Sequence, residues 1–164
     1  MTEVMTTIVG SASKQVSISR QLPTAIIGER INPTGRKKLQ AELKAGNLDT
    51  VKADAIAQIE AGAVILDVNA GVPGADEPAL LVQMIEVLTE LTDVPLCIDT
   101  ANVEALKAAL KVYSGKALVN SVNGEEEKLE TVLPLIKQYD AAVIGLTMDD
   151  EGIPKTLEKR IEIA

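Results

Sequence analysis

Five short apolar runs in this chain stop on polar residues. Thr24-Ala-Ile-Ile-Gly28 meets Glu29-Arg-Ile-Asn32, and Val64-Ile-Leu66 meets Asp67-Val-Asn69. Pro95-Leu-Cys-Ile98 meets Asp99-Thr100, Ala117-Leu-Val119 meets Asn120-Ser121, and Ala142-Val-Ile-Gly-Leu146 meets Thr147-Met-Asp149. An ionised carboxylate only accepts hydrogen bonds, whereas a carboxamide both donates and accepts. If the runs are parallel strands, Glu29, Asn32, Asp67, Asn69, Asp99 and Asn120 ring one pocket with hydrogen-bonding groups.

The missing residue types narrow the chemistry. The chain has no His, which removes His triads, His general bases and His metal ligands. Cys97 is the only Cys, so no intrachain disulfide or thiolate cluster forms, and its place in an apolar run suits a core thiol. A reducing, cytoplasmic setting fits. Aromatics are limited to two Tyr and the formal net charge is −8, both unfavourable for nucleic acid. No run approaches the roughly 18 apolar residues of a membrane span, and no signal-peptide pattern opens the chain. Neither Gly-rich stretch carries the Lys of a phosphate loop.

The elements that must position these residues follow from pattern. The 164 residues are 46% apolar and suffice for one sizeable core, packed from Leu, Ile, Val and Ala. Val4–Val9 and Gln15–Ile18 flank a Gly/Ser loop and read as a β-hairpin. A first helix is expected over Arg36–Lys44, ended by Gly46. Asn47 is expected to cap a second, with Val51, Ala55, Ile56 and Ile59 inward and Gly62 past its end. Asp76 and Pro78 open a third, with Leu81, Met84, Ile85, Leu88 and Leu91 as its apolar face. Asn102 or Thr100 caps a fourth, which turns Val103, Leu106 and Leu110 inward. Glu125-Glu-Glu127 starts a fifth, bearing Leu129, Val132, Leu133 and Ile136, and Pro134 should kink or shorten it. A sixth begins near Lys155.

Strand–helix alternation implies an α/β class with parallel strands, either doubly wound or a barrel. Polar residues at every strand end favour the TIM-type (β/α)8 barrel, whose active-site mouth lies at the carboxyl ends of its strands. Such a barrel takes eight units and about 250 residues, so only about the first five units are expected here. The expected division is 1–23 as the hairpin, capping the barrel bottom, and 24–164 as the partial barrel.

Gly28-Glu-Arg-Ile-Asn-Pro-Thr-Gly-Arg36, Leu66-Asp-Val-Asn-Ala-Gly71, Cys97-Ile-Asp-Thr100, Val119-Asn-Ser121 and Gly145-Leu-Thr-Met148 with Gly152-Ile-Pro154 occur in order over about residues 24–160. Together they resemble the pterin-binding methyltransferases that pass methyl groups between tetrahydrofolate and corrinoid proteins. The wider superfamily includes dihydropteroate synthase. Its first loop, however, usually reads Asn-x-Thr-x-Asp-Ser-Phe, where this chain has Asn32-Pro-Thr-Gly-Arg36.

The resemblance implies a methyltransferase of one-carbon metabolism. It implies tetrahydrofolate or methyltetrahydrofolate as substrate and cobalamin carried by a partner corrinoid protein. It also implies that Asp99 and Asn120 hydrogen-bond the pterin, that Asp67 and Asn69 lie at the pocket floor, and that Glu29 and Asn32 belong to the first-loop motif. The residues near pterin N5 in that family, an Asp on the sixth strand and an Asn on the seventh, would fall beyond residue 164, so no catalytic acid is named.

Blander readings stand beside these. Asp99 could cap the helix after it, and Asn120 could be a turn residue. Asp67 with Asn69 could order a loop, and Glu29 with Arg30 could form a structural ion pair. Asp149-Asp-Glu151 reads as a solvated turn rather than a metal cluster. Two alternative functions stay open: a non-catalytic half-barrel that binds pterin or assembles, and a dihydropteroate synthase relative. Unpaired flanking strands imply a homo-oligomer.

Overall fold

The structure is a computed structural model and describes residues 5–164. It opens with the antiparallel hairpin β1 (Thr7–Gly10) and β2 (Gln15–Ile18), in which Thr7 faces Ile18 and Gly10 faces Gln15. The expected first strand began at Val4, which lies outside the described residues.

A parallel five-stranded sheet follows in the order β3 (Ile27–Ile31), β4 (Ile65–Asn69), β5 (Leu96–Asp99), β6 (Leu118–Asn123) and β7 (Ala142–Leu146). Helices α1 (Lys37–Lys44) and α2 (Asp49–Glu60) join β3 to β4. Then α3 (Glu77–Leu91), α4 (Val103–Val112) and α5 (Glu126–Gln138) make the next three crossovers, and α6 (Leu157–Ile163) follows β7. Sequential strands are neighbours throughout, as in the wall of a β/α barrel. No helix among the described residues is long and apolar enough to cross a membrane.

Alternation along the strands splits the apolar residues between two faces. Leu66, Val68, Leu96, Ile98 and Val119 point outward and pack under the helices with Leu81, Met84, Ile85, Leu88 and Leu106. Ile65, Cys97 and Leu118 point inward and pack with Val9 of the hairpin. Each large aliphatic so buried contributes about 1.5–3 kcal/mol. The thiol of Cys97 is fully buried.

The hairpin is tied to the amino-terminal ends of β5 and β6. Gly10 N–H donates to the Lys116 carbonyl at 2.8 Å. Tyr113 Oη accepts from Leu96 N–H at 3.0 Å and donates to the Gly10 carbonyl at 3.1 Å. Gly115 makes this approach possible. It has φ +145°, and a Cβ there would stand 2.3 Å from the Gly10 carbonyl oxygen.

Local signals account for most boundaries. Asp76 Oδ1 accepts from Ala79 N–H and caps α3, while Asn102 Oδ1 accepts from Glu104 and Ala105 N–H and caps α4. Asn47 sits one residue before the α2 cap position and accepts from Asp49 N–H.

Three expectations are corrected. Ile56, Leu91 and Leu133 are exposed rather than inward. Successive helical residues are turned by about 100°. Ile56 and Leu133 therefore rotate away from the buried Ala55 and Val132 beside them, and Leu91 closes α3 beyond its buried stripe. Pro134 lies inside α5, which continues to Gln138 instead of stopping short. The carbonyl that loses its partner belongs to Glu130, an exposed residue. The strand expected over 24–28 runs later, so Glu29 is within β3 rather than after it.

Candidate functional site

The parallel register sets the candidate residues in two rows. Asn69 on β4, Asp99 on β5 and Asn120 on β6 are register partners. One row lower, Asp67 pairs with Cys97 and Cys97 with Leu118. Residues two apart on a strand share a face, so Asp67 and Asn69 lie on the inner face above Ile65. The lower row, Asp67 with the apolar Cys97 and Leu118, is therefore the floor, with Ile65 beneath Asp67, and the row Asn69, Asp99 and Asn120 stands on it at the carboxyl ends of the strands.

Crossed hydrogen bonds join these side chains. Asn69 Nδ2 donates to Asp99 Oδ2 at 2.9 Å, and Asn69 Oδ1 accepts from Gly71 N–H at 2.8 Å. Asn120 Nδ2 donates to Asp67 Oδ2 at 3.2 Å. Among the described residues no donor reaches Asp67 Oδ1 in hydrogen-bond geometry, although that atom is buried and the Cys97 thiol lies near the carboxyl. A buried acceptor without a partner is costly, and a ligand N–H or a water would relieve it.

Burial pushes the Asp67 carboxyl above the usual carboxylate range. The Asp99 and Glu29 charges add to this, while the Cys97 thiol and the Asn120 amide offset it in part. Burial also raises Asp99, with Glu29 and Glu77 adding and the Asn69 amide opposing. The Cys97 thiol is raised far out of reach of ionisation, by burial first and then by Asp67 and Asp99. This thiol is inert, not a nucleophile. The site is thus a half-buried acidic recess with carboxamides interleaved. It can accept N–H donors from a flat heterocycle, and its Asp67 and Asp99 carboxyls keep a proton to higher pH than free ones do.

Glu29 and Asn32 meet each other rather than the main group. Asn32 Nδ2 donates to Glu29 Oε1 at 2.8 Å, and Asn32 Oδ1 accepts from Thr34 N–H at 2.9 Å. Glu29 still bears electrostatically on Asp67 and Asp99. Among the described residues Glu29 forms no ion pair with Arg30. Arg30 N–H instead donates to Gln58 Oε1 at 2.6 Å. Asp99 does not cap α4, because Asn102 does. Asn120 lies inside β6 rather than in a turn. Asn69 does order the loop after β4, through Gly71, and also engages Asp99. Asp149 accepts from Glu151 N–H, lies 3.4 Å from Lys159 Nζ, and belongs to a tight turn with Gly152.

Several supporting residues carry no motif. Arg36 forms an ion pair with Asp54 at 2.7 Å and donates to the Arg30 carbonyl. With Gln58, it braces the irregular stretch of β3 between Gly28 and Ile31. Gly28 leaves room there for the Gln58 side chain, whose amide oxygen would stand 2.7 Å from a Cβ at position 28. Glu77 accepts from Thr100 Oγ1 at the rim. A polar Gln58 between the inward Ala55 and Ile59 of α2 is the one sequence signal that could have pointed to this bracing.

Comparison with known proteins agrees with this fold. The family model described as "pterin binding enzyme" matches residues 28–163. The chain is 38% identical over 143 residues to a methylcorrinoid:tetrahydrofolate methyltransferase of Eubacterium limosum, covering 84% of this chain and 51% of that protein. Its fold is similar to the dihydropteroate synthase of Thermus thermophilus, with TM-score 0.56, 20% identity, and coverage of 87% of this chain and 49% of that one. It is also similar to the 7,8-dihydropteroate synthase of Vibrio fischeri, with TM-score 0.59, 21% identity, and coverage of 93% and 53%. The chain spans about half the length of the relatives it matches. On the strength of a family match that takes in all five strand ends, this chain belongs to the pterin-binding enzymes.

Proposed function

We propose that this chain supplies the pterin-holding strand ends of a methyltransferase acting between tetrahydrofolate and a corrinoid protein. The observation that carries the reading is the aligned row Asn69, Asp99 and Asn120 above the buried Asp67, at the carboxyl ends of adjacent parallel strands. A pterin edge offers N–H donors beside ring acceptors. A carboxylate at Asp99 accepts the donors, and the Asn120 carboxamide can serve either kind. Asp67 Oδ1 is a further open acceptor beneath them. Glu29 and Asn32 frame the mouth, and Asn69 stands beside Asp99.

The identity to a methylcorrinoid:tetrahydrofolate methyltransferase supports methyl transfer, and on this reading a partner protein in the cytoplasm bears the corrinoid. The methyl-bearing centre then belongs to pterin and corrinoid, and the chain's own residues bind and orient the ring. The dihydropteroate synthases are similar in fold at 20% and 21% identity, and the first loop lacks their usual pattern. Titration calorimetry with methyltetrahydrofolate and with 4-aminobenzoate tests the choice. Heat with the folate alone supports methyl transfer, whereas specific binding of 4-aminobenzoate would favour the synthase reading.

A further inference from the structure

The carboxamide of Asn69 is held at both ends. Its oxygen accepts from Gly71 N–H at 2.8 Å and its nitrogen donates to Asp99 Oδ2 at 2.9 Å. Rotating the amide by half a turn would set acceptor against acceptor at Asp99 and donor against donor at Gly71, so both contacts select one orientation. The loop after β4 therefore fixes the amide, and the amide fixes one oxygen of the carboxylate on the next strand. Among the described residues no donor occupies Asp99 Oδ1.

We propose that Asn69 is a positioning residue for Asp99, pinning the carboxylate by one oxygen so that the other is left to accept from a donor-bearing ligand edge. This rests on the pterin reading of the site, and gives Asn69 a role exerted through Asp99 rather than by its own contact with ligand. The charged surroundings make the role consequential. Glu29 from β3, Asp67 from β4 and Glu77 from α3 all face this region with negative charge, and β6 contributes only the neutral Asn120. Burial, with Glu29 and Glu77, favours protonation of Asp99. The Asn69 N–H bond favours the ionised form, which is the better acceptor.

The test is Asn69→Ser in the full chain, with Asn69→Asp beside it. A serine hydroxyl can still accept from the N–H two residues on but is too short to reach Asp99. An aspartate keeps the acceptor for Gly71 and replaces the donor by a second carboxylate. Carboxyl-carbon NMR titration of the free protein should show the Asp99 midpoint displaced upward in both variants. Methyltetrahydrofolate affinity at neutral pH should fall about tenfold in Asn69→Ser. The affinity–pH profile should shift to higher pH, and more so in Asn69→Asp. An unmoved Asp99 titration would overturn the proposal, even if affinity falls, because the loss would then be a direct contact. Failure of wild-type chain and variants alike to bind the folate would instead strike the pterin reading. The Asp99 titration would still decide whether Asn69 acts on that carboxyl.

Discussion

Asn120 and Asp67 belong to strands that are not neighbours in the sheet, yet Asn120 Nδ2 stands 3.2 Å from Asp67 Oδ2 across the intervening β5. With the Asn69–Asp99 bond, this knits three strand ends into one polar group. Asn120 thus links a member of the upper row to the carboxyl on the floor.

The floor carboxyl makes the first prediction. Asp67 is 3% exposed and its carboxyl is raised by burial. An acid whose folded pKa lies above its unfolded value stabilises the fold relatively at low pH, and the advantage is lost as pH rises through the folded value. Asp67→Asn should therefore unfold at higher temperature than wild type at pH 7, and the difference should shrink toward pH 4. Thermal denaturation across that range checks both the sign and the closing of the gap. A variant less stable at neutral pH would mean that the charge is favourable where it stands.

The hairpin's tie makes the second. Tyr113→Phe removes the acceptor for the Leu96 N–H and the donor to the Gly10 carbonyl. A buried N–H left without a partner costs about 1–3 kcal/mol. Urea unfolding should show a loss of that order. The hairpin amides should exchange faster with solvent, since the tether to β5 is gone.

What could be read from the chain was what alternation and composition dictate. Asp67 and Asn69 are two apart at the end of an apolar run, and that spacing alone places them on one face. Asp99 and Asn120 fall at matching positions after their runs, which parallel pairing aligns. The crossed partnership was not legible, because no local pattern tells which carboxamide leans toward which carboxylate across a sheet. Ile56 defeated the periodicity because Gln58 and Asp54 claim the flank of α2 that faces the β3 irregularity. Pro134 did not shorten α5, and the residue whose carbonyl loses its partner, Glu130, is exposed. Arg36, expected as the first helical residue, instead precedes α1 and reaches Asp54.

The third prediction is self-association. Among the described residues β3 and β7 each pair on one side only, and Ile26, Ile27 and Leu146 on those flanks are exposed. Open edges with apolar flanks recruit further strands. A second copy of this chain is the expected partner, and sedimentation should report a concentration-dependent dimer. A clean monomer across micromolar concentrations would contradict this.

The central claim is that Asp99 receives a pterin edge as a carboxylate, and it is tested most directly by comparing Asp99→Asn with Asp76→Asn. Asparagine at position 99 keeps one acceptor oxygen and turns a donor toward a donor. The loss of a charge-assisted bond costs about 1.5–3 kcal/mol, so methyltetrahydrofolate affinity measured by calorimetry should fall roughly 10- to 100-fold. Asp76 only caps α3 through Ala79 N–H, so its replacement should leave affinity alone and change stability by at most about 1 kcal/mol. Equal affinity for wild type and Asp99→Asn would show that the pterin is not held at this strand end.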